Sequence, residues 1–264
     1  MKKLIVNADD LGLTEGVTNG IIHAAANGIV TSTSAMMNHA TTSADITRAR
    51  ETCPQMGFGV HLVLTEGRPL LAPEAVPGLV NENGLFYKFN RERERIARLD
   101  LGQVRAEWST QIESFLGLGF QPDHLDSHHH ISYHHPDLFK ILLELAREYH
   151  LPIRYPPPEC IEILGKDAID GWLGEYGVTA PSSCLTEYYG YNGEISSEYL
   201  LSIIKLMTDG VHELMCHPGF ADQELINSSS YNSPRELELK VLTSPEVSGW
   251  IRDHGIELIP FLKM

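Results

Sequence analysis

No stretch of this sequence approaches the roughly 18 consecutive apolar residues of a membrane-spanning helix. Its first apolar run, Leu4-Ile5-Val6, stops at Asn7 and two aspartates, too early for the core of about 7–15 residues that a secretion signal needs. Cationic side chains are few: 20 lysines and arginines stand against 35 aspartates and glutamates, a formal charge of −15. Nucleic acids and anionic membranes are recognised through a basic footprint, so neither is an expected partner. Cysteine is sparse too. Cys53, Cys160, Cys184 and Cys216 are scattered and form no CxxC pair, which argues against a cysteine-based zinc site and reads as reduced, buried thiols in a cytoplasmic protein. No internal repeat or low-complexity tract is present, and 42% hydrophobic with 21% charged residues excludes a disordered or fibrous chain.

What the 264 residues do contain is an alternation of two periodicities. Apolar runs at 4–8, 29–37, 59–64, 122–126, 152–155, 177–180, 212–216 and 256–261 read as strands. Between them, 15–27, 41–52, 102–118, 136–149, 196–208 and 234–254 read as helices. Ile112, Phe115, Leu116 and Leu118 follow roughly the helical period, and Ser233-Pro234-Arg235-Glu236 carries the serine cap, first-turn proline and acidic residue of a helix start. Strand–helix alternation implies a mostly parallel sheet, and about eight strands in a chain of this length suit an α/β fold, a distorted or incomplete (β/α) TIM-like barrel, with 1–264 as a single catalytic domain. Two segments, 66–98 and 181–195, break the rhythm as loop insertions. Loops this long often serve as lids or binding loops; the alternatives are an oligomer contact, as of a homodimer, or a passive excursion. The charge run RERERIAR (91–98) reads as a solvated helix face.

Enzymes of this class place their reacting groups where strands end. Four such ends carry ionisable residues: Asn7-Ala8-Asp9-Asp10, the strand holding His61, the run HLDSHHH (124–130), and His217-Pro218-Gly219. Each has a plain reading, as a turn or cap, a core histidine, a polar loop and a loop residue. Their shared position at strand ends points instead to a shaped site. On extended backbone Asp126, His128 and His130 share one face and His129 takes the other, so Asp126 is placed to hold the His128 ring with its second nitrogen toward a metal. Asp9 and Asp10 likewise point apart, one able to bind a metal and the other to wait beside it as a base. One carboxylate with two imidazoles leaves coordination positions open for water and substrate.

Together N-A-D-D-L-G, G-I-V-T-S-T-S-A-M, H-L-V-L-T-E-G, H-L-D-S-H-H-H and C-H-P-G, in that order over residues 4–219, resemble the motifs of the YdjC-like carbohydrate deacetylases, which include bacterial chitooligosaccharide deacetylases. The resemblance implies a distorted (β/α) barrel, one divalent metal ion (Mg or Zn), and hydrolysis of the N-acetyl group of a small sugar. It implies Asp10, His61 and His128 as metal ligands, Asp9 as catalytic base and His217 as candidate acid. Relatives often continue the mid-chain motif with a further alternating histidine, where this chain has Ser132. Arg154 and His130 are candidate substrate contacts, with a plain ion pair as the alternative for Arg154; Tyr188, Tyr189 and Tyr191 are candidates to stack on sugar faces. Two rival readings stand beside this one: a binuclear metal phosphoesterase or amidohydrolase, with Asp126, His130 and His217 in a second ligand set, and a non-enzymatic metal-binding protein.

Overall fold

A computed structural model describes residues 1–186 and 194–264. The strands are β1 (Lys2–Leu11), β2 (Ser32–Ala35), β3 (Gly57–Leu62), β4 (Leu125–Ser127), β5 (Ser183–Leu185), β6 (Gly210–Cys216) and β7 (Glu257–Leu258). They hydrogen-bond in the order β4-β3-β2-β1-β6-β5, with β7 on β1. The pairings of β1 with β2, β6 and β7, of β3 with β4 and of β5 with β6 are parallel. The path has two ends, so this is the incomplete TIM-like (β/α) barrel that strand–helix alternation implies. In β1, Leu4, Ile5 and Val6 are all fully buried, as expected of a central parallel strand covered on both faces.

The chain forms two compact units, each discontinuous in sequence. The first comprises Met1–Ala35, Ala44–Phe58 and Pro181–Met264; the second comprises Met36–Ser43 and Gly59–Ala180. In the first, helix Glu15–Asn27 starts where the Thr14 side chain accepts the Val17 N–H. In the second, helix Pro136–Tyr149 opens with proline in its first turn, buries Leu138, Phe139, Leu142 and Leu145, and ends where His150 turns left-handed at φ 57°. Each of those buried side chains contributes about 1.5–3 kcal/mol.

Several expected elements differ, each for a local reason. The helix expected over 234–254 is two, Ser233–Leu242 and Pro245–Asp253, because Pro245 disfavours helical backbone before it and starts the next helix itself. The strand expected over 256–261 shrinks to Glu257–Leu258, since Pro260 has no N–H to give a ladder. Segments 152–155 and 177–180 are not strands; Ile153 makes a single parallel bridge to Leu125 and donates its N–H to the Thr179 carbonyl at 3.0 Å. Insertion 66–98 is tied down rather than loose. On helix Leu101–Leu116, the buried Glu107 carboxylate accepts the N–H groups of Leu70 (2.8 Å) and Leu71 (3.0 Å), and Gln111 bonds both backbone groups of Val63. The charge run forms helix Phe89–Arg95 as expected, but its Glu92 is buried against Arg95. Within 181–195, residues 183–185 are strand β5 and not loop. All four cysteines are free and buried. Among the described residues no helix is long and apolar enough to cross a membrane.

Candidate active site

In the first unit, β1 bulges near its end: the register moves from Ala8–Thr33 to Leu11–Ala35, so three steps on β1 oppose two on β2. Asp10 takes the extra step with left-handed backbone (φ 75°), and its carbonyl accepts the Leu13 N–H at 3.0 Å across a turn that needs Gly12 at φ 91°. The simple alternation expected for Asp9 and Asp10 therefore fails, because the bulge re-aims the second carboxylate. Both are buried. Asp9 Oδ1 accepts from Asn7 Nδ2 at 2.8 Å, and Asp9 Oδ2 lies 4.0 Å from His217 Nε2. Asp10 Oδ2 accepts from Arg235 Nη2 at 2.6 Å.

His217 follows the end of β6. Its N–H donates to Glu238 Oε2 at 2.6 Å, and the Tyr231 hydroxyl donates to the other oxygen of Glu238. Burial pushes the Glu238 carboxyl up to about 7, and the negative charge of Asp9 adds to it, against the opposing effect of those two donors and Arg235. The loop after His217 lies backbone to backbone on helix Glu15–Asn27. A Cβ on Gly20 would come within 2.4 Å of Gly219 Cα, and Asp222 Oδ2 accepts the Gly16 N–H at 2.6 Å.

In the second unit, β3 and β4 pair with His61 opposite Asp126. His61 Nδ1 and Asp126 Oδ1 are 2.7 Å apart, and Asp126 Oδ2 is 3.0 Å from Arg154 Nη2. Asp126 and Arg154 are fully buried and His61 nearly so. Burial alone would raise the Asp126 carboxyl, but the His61 ring and the Arg154 guanidinium hold it well below the usual carboxylate range. The expectation that Asp126 orients His128 is thus corrected: it holds His61, its cross-strand neighbour. Arg154 is the ion pair, enclosed with Asp126, and has no exposed surface to offer a substrate.

The histidine run is also not a strand. β4 stops at Ser127, and His129 (φ 56°) and His130 (φ 54°) are left-handed, so the predicted sharing of a face by Asp126, His128 and His130 does not hold. His128 is buried, with its ring edge-on to His61 at 5.4 Å. His129 is exposed and bonds Thr65 through Nδ1 at 2.9 Å, and His130 is half-buried. Ser132 is buried and pins the turn: its hydroxyl is 2.7 Å from that of Ser127, and its N–H donates to the Ser127 hydroxyl oxygen. Tyr188, Tyr189 and Tyr191 lie outside the described residues.

Among the described residues, two triads of buried side chains each offer one ligand atom per residue within 4.8 Å of one another: Asp10, His61 and His128, and Asp9, His61 and Asp126. The first triad suits a divalent ion. Its donor set is one carboxylate and two imidazoles, and His61 already has Nδ1 committed to Asp126, which directs Nε2 to the ligand role. The second triad is less suited, since both oxygens of Asp126 are engaged by His61 and Arg154.

A family model described as YdjC-like protein matches residues 3–253. The chain belongs to the YdjC-like family. This YdjC-like chain is 38% identical over 260 residues to a carbohydrate deacetylase of Thermoanaerobacter pseudethanolicus, covering 98% of this chain and 97% of that one. It is 38% identical over 271 residues to a chitooligosaccharide deacetylase of Yersinia pestis (strain Pestoides F), covering 99% and 98%. A solved structure from Enterococcus faecalis V583, described as a candidate cellobiose-phosphate cleavage protein, matches with a TM-score of 0.89 at 38% identity, over 99% of this chain and 98% of that one. Sequence reasoning had passed over Arg235, Glu238 and Tyr231. Arg235 was visible only as part of a helix start, and nothing local signals that it reaches a carboxylate 225 residues earlier.

Proposed function

We propose that this YdjC-like protein is a metal-dependent carbohydrate deacetylase that hydrolyses the N-acetyl group of an amino sugar or short chitooligosaccharide. The observation that carries the reading is the buried triad Asp10, His61 and His128, with Asp9 and His217 4.0 Å apart beside Asp10 in the chain and at the end of β6. The relatives named as carbohydrate and chitooligosaccharide deacetylases, aligned over nearly their whole length, support the same chemistry.

Asp10, His61 and His128 would hold the ion. When bound, it supplies Lewis-acid polarisation of the acetyl carbonyl. Asp9, held by Asn7, takes the proton of the attacking water as that oxygen bonds to the acetyl carbon. His217 gives a proton to the sugar nitrogen as the carbon–nitrogen bond breaks, leaving acetate and a free amine. The 4.0 Å between His217 Nε2 and Asp9 Oδ2 makes the two neighbours on one small volume, so a single bound acetamido group can face both. His130, half-buried beside the triad in sequence, is a candidate contact for sugar hydroxyls.

Acetate release from N-acetylated mono- and disaccharides, measured before and after chelation and on addition of Mg²⁺ or Zn²⁺, tests the proposal. Loss with chelator and recovery with metal is expected; turnover indifferent to chelator would defeat metal dependence, and no acetate from any sugar would defeat the deacetylase reading. A binuclear hydrolase needs a second ligand set, and the Asp9–His61–Asp126 triad shares with the first the one His61 nitrogen that Asp126 does not engage. One metal per chain in the active protein favours deacetylation and two favour the rival.

A further inference from the structure

Helix Ser233–Leu242 lies beyond the motifs that carry the family resemblance, yet its side chains reach the site. Arg235 and Glu238, three residues apart, lie on one side of it. Glu238 accepts the His217 N–H, and Arg235 Nη2 bonds Asp10 Oδ2 at 2.6 Å while its Nε donates to the Tyr231 carbonyl at 3.0 Å. The arginine is 3% exposed. Its backbone is fixed as well, since the Gly219 N–H donates to the Arg235 carbonyl.

We infer that Arg235 is a positioning residue that sets the affinity of the site for its divalent ion by fixing the Asp10 carboxylate. This rests on the metal reading proposed above. Asp10 sits on left-handed backbone at a bulge, where strand alternation does not set the direction of its side chain. A carboxylate offers about four lone-pair positions, so the hydrogen bond from Nη2 to Oδ2 does not exhaust them, and that bond, from a guanidinium tethered through Nε, favours one orientation of the group. Two effects oppose each other. Orientation favours metal binding, whereas the positive charge of Arg235 repels a cation. Enclosure strengthens the repulsion as well as the hold on the carboxylate, and on this inference the hold, anchored through Nε, is the larger of the two.

The two effects separate by substitution. Lysine keeps the charge and loses the Nε-tethered guanidinium; methionine loses both. Mn²⁺ binding to chelator-treated protein, followed by the loss of the free-ion paramagnetic resonance signal, is measured for wild type, Arg235→Lys and Arg235→Met, with thermal melts to establish folding. The expected order is wild type tightest, Arg235→Lys weaker by several-fold, and Arg235→Met weaker by about tenfold or more, the range seen when groups behind metal ligands are removed. Arg235→Met binding as tightly as wild type, or more tightly, overturns the inference. If Arg235→Met does not fold, Arg235→Lys decides alone, and wild-type affinity in that variant overturns it. Wild type that takes up no Mn²⁺ ends both the metal site and this inference. The expected order without acetate release from any sugar upholds the inference and ends only the deacetylase reading.

Discussion

His61 and Asp9 are both buried, and both are held by a side chain within hydrogen-bonding reach, but they are held in different ways. His61 stands on regular strand in register with Asp126, and Asp126 is closed off by Arg154, so ring, carboxylate and guanidinium form one enclosed hydrogen-bonded chain. Asp9 and Asp10 stand on a bulged strand end and His217 at the start of a loop, and these are steadied from elsewhere, by Arg235, Glu238 and a loop packed on helix Glu15–Asn27. The first arrangement suits a ligand that must not move or change charge. The second suits Asp9 and His217, the groups proposed to pass protons, and leaves Asp10, the ligand among them, dependent on Arg235 for its orientation. The contrast predicts that damage to the two sets differs in kind.

The largest effects should fall on chemistry. His128→Ala is expected to lose bound metal and reduce acetate release to background, whereas Asp9→Asn should keep its metal and lose turnover by about 10²–10⁴-fold. Metal content by mass spectrometry beside the rate separates them, and an Asp9→Asn protein with near-normal turnover would remove Asp9 from the role of base. Next comes stability. Asp126→Ala leaves the buried Arg154 without its carboxylate, and removing one partner of such a pair typically costs about 3–5 kcal/mol. Urea unfolding should show it, together with weaker metal binding through the misdirected His61 ring; a cost near zero would mean that the enclosed chain is not what holds the second unit's ligands. Gly20→Ala tests the first unit's support. Its new Cβ would meet the backbone of Gly219 at 2.4 Å, and overpacking against an unyielding neighbour costs about 1–3 kcal/mol. Because that loop begins at His217, turnover should fall more than metal binding does.

How much of this was legible beforehand follows the same division. Strand–helix alternation and the four strand ends were readable because hydrophobic period and residue type are local properties, and they brought Asp9, Asp10, His61, His128 and His217 forward. The partners were not. Asp126 was assigned to His128, two residues away, because alternation along one strand can be read from a sequence, while the register that sets it opposite His61 cannot. Left-handed backbone at Asp10, His129 and His130 defeated alternation in both places, and aspartate and histidine give only a weak hint of it. Arg235 and Glu238 act across more than 200 and about 20 residues respectively, distances over which no spacing rule operates.

The smallest predicted effect concerns Glu238 and the pH dependence of stability. Its carboxyl is pushed up from an ordinary 4.5 to about 7, chiefly by burial. Between those values the folded protein keeps a proton that the unfolded chain has released. The stability this provides is fully present below about 4.5 and is lost as pH rises through 7. Glu238→Gln cannot ionise, yet its amide oxygen can accept the His217 N–H and its amine can donate to the Tyr231 hydroxyl, so the packing survives. The variant should therefore gain on wild type as pH rises across that window, by on the order of 1 kcal/mol per pH unit at most. Urea midpoints for both proteins at pH 5 and pH 8 measure it. Parallel curves would mean that Glu238 titrates as an ordinary carboxyl, and that His217 is held by a group already ionised throughout the range in which the enzyme works.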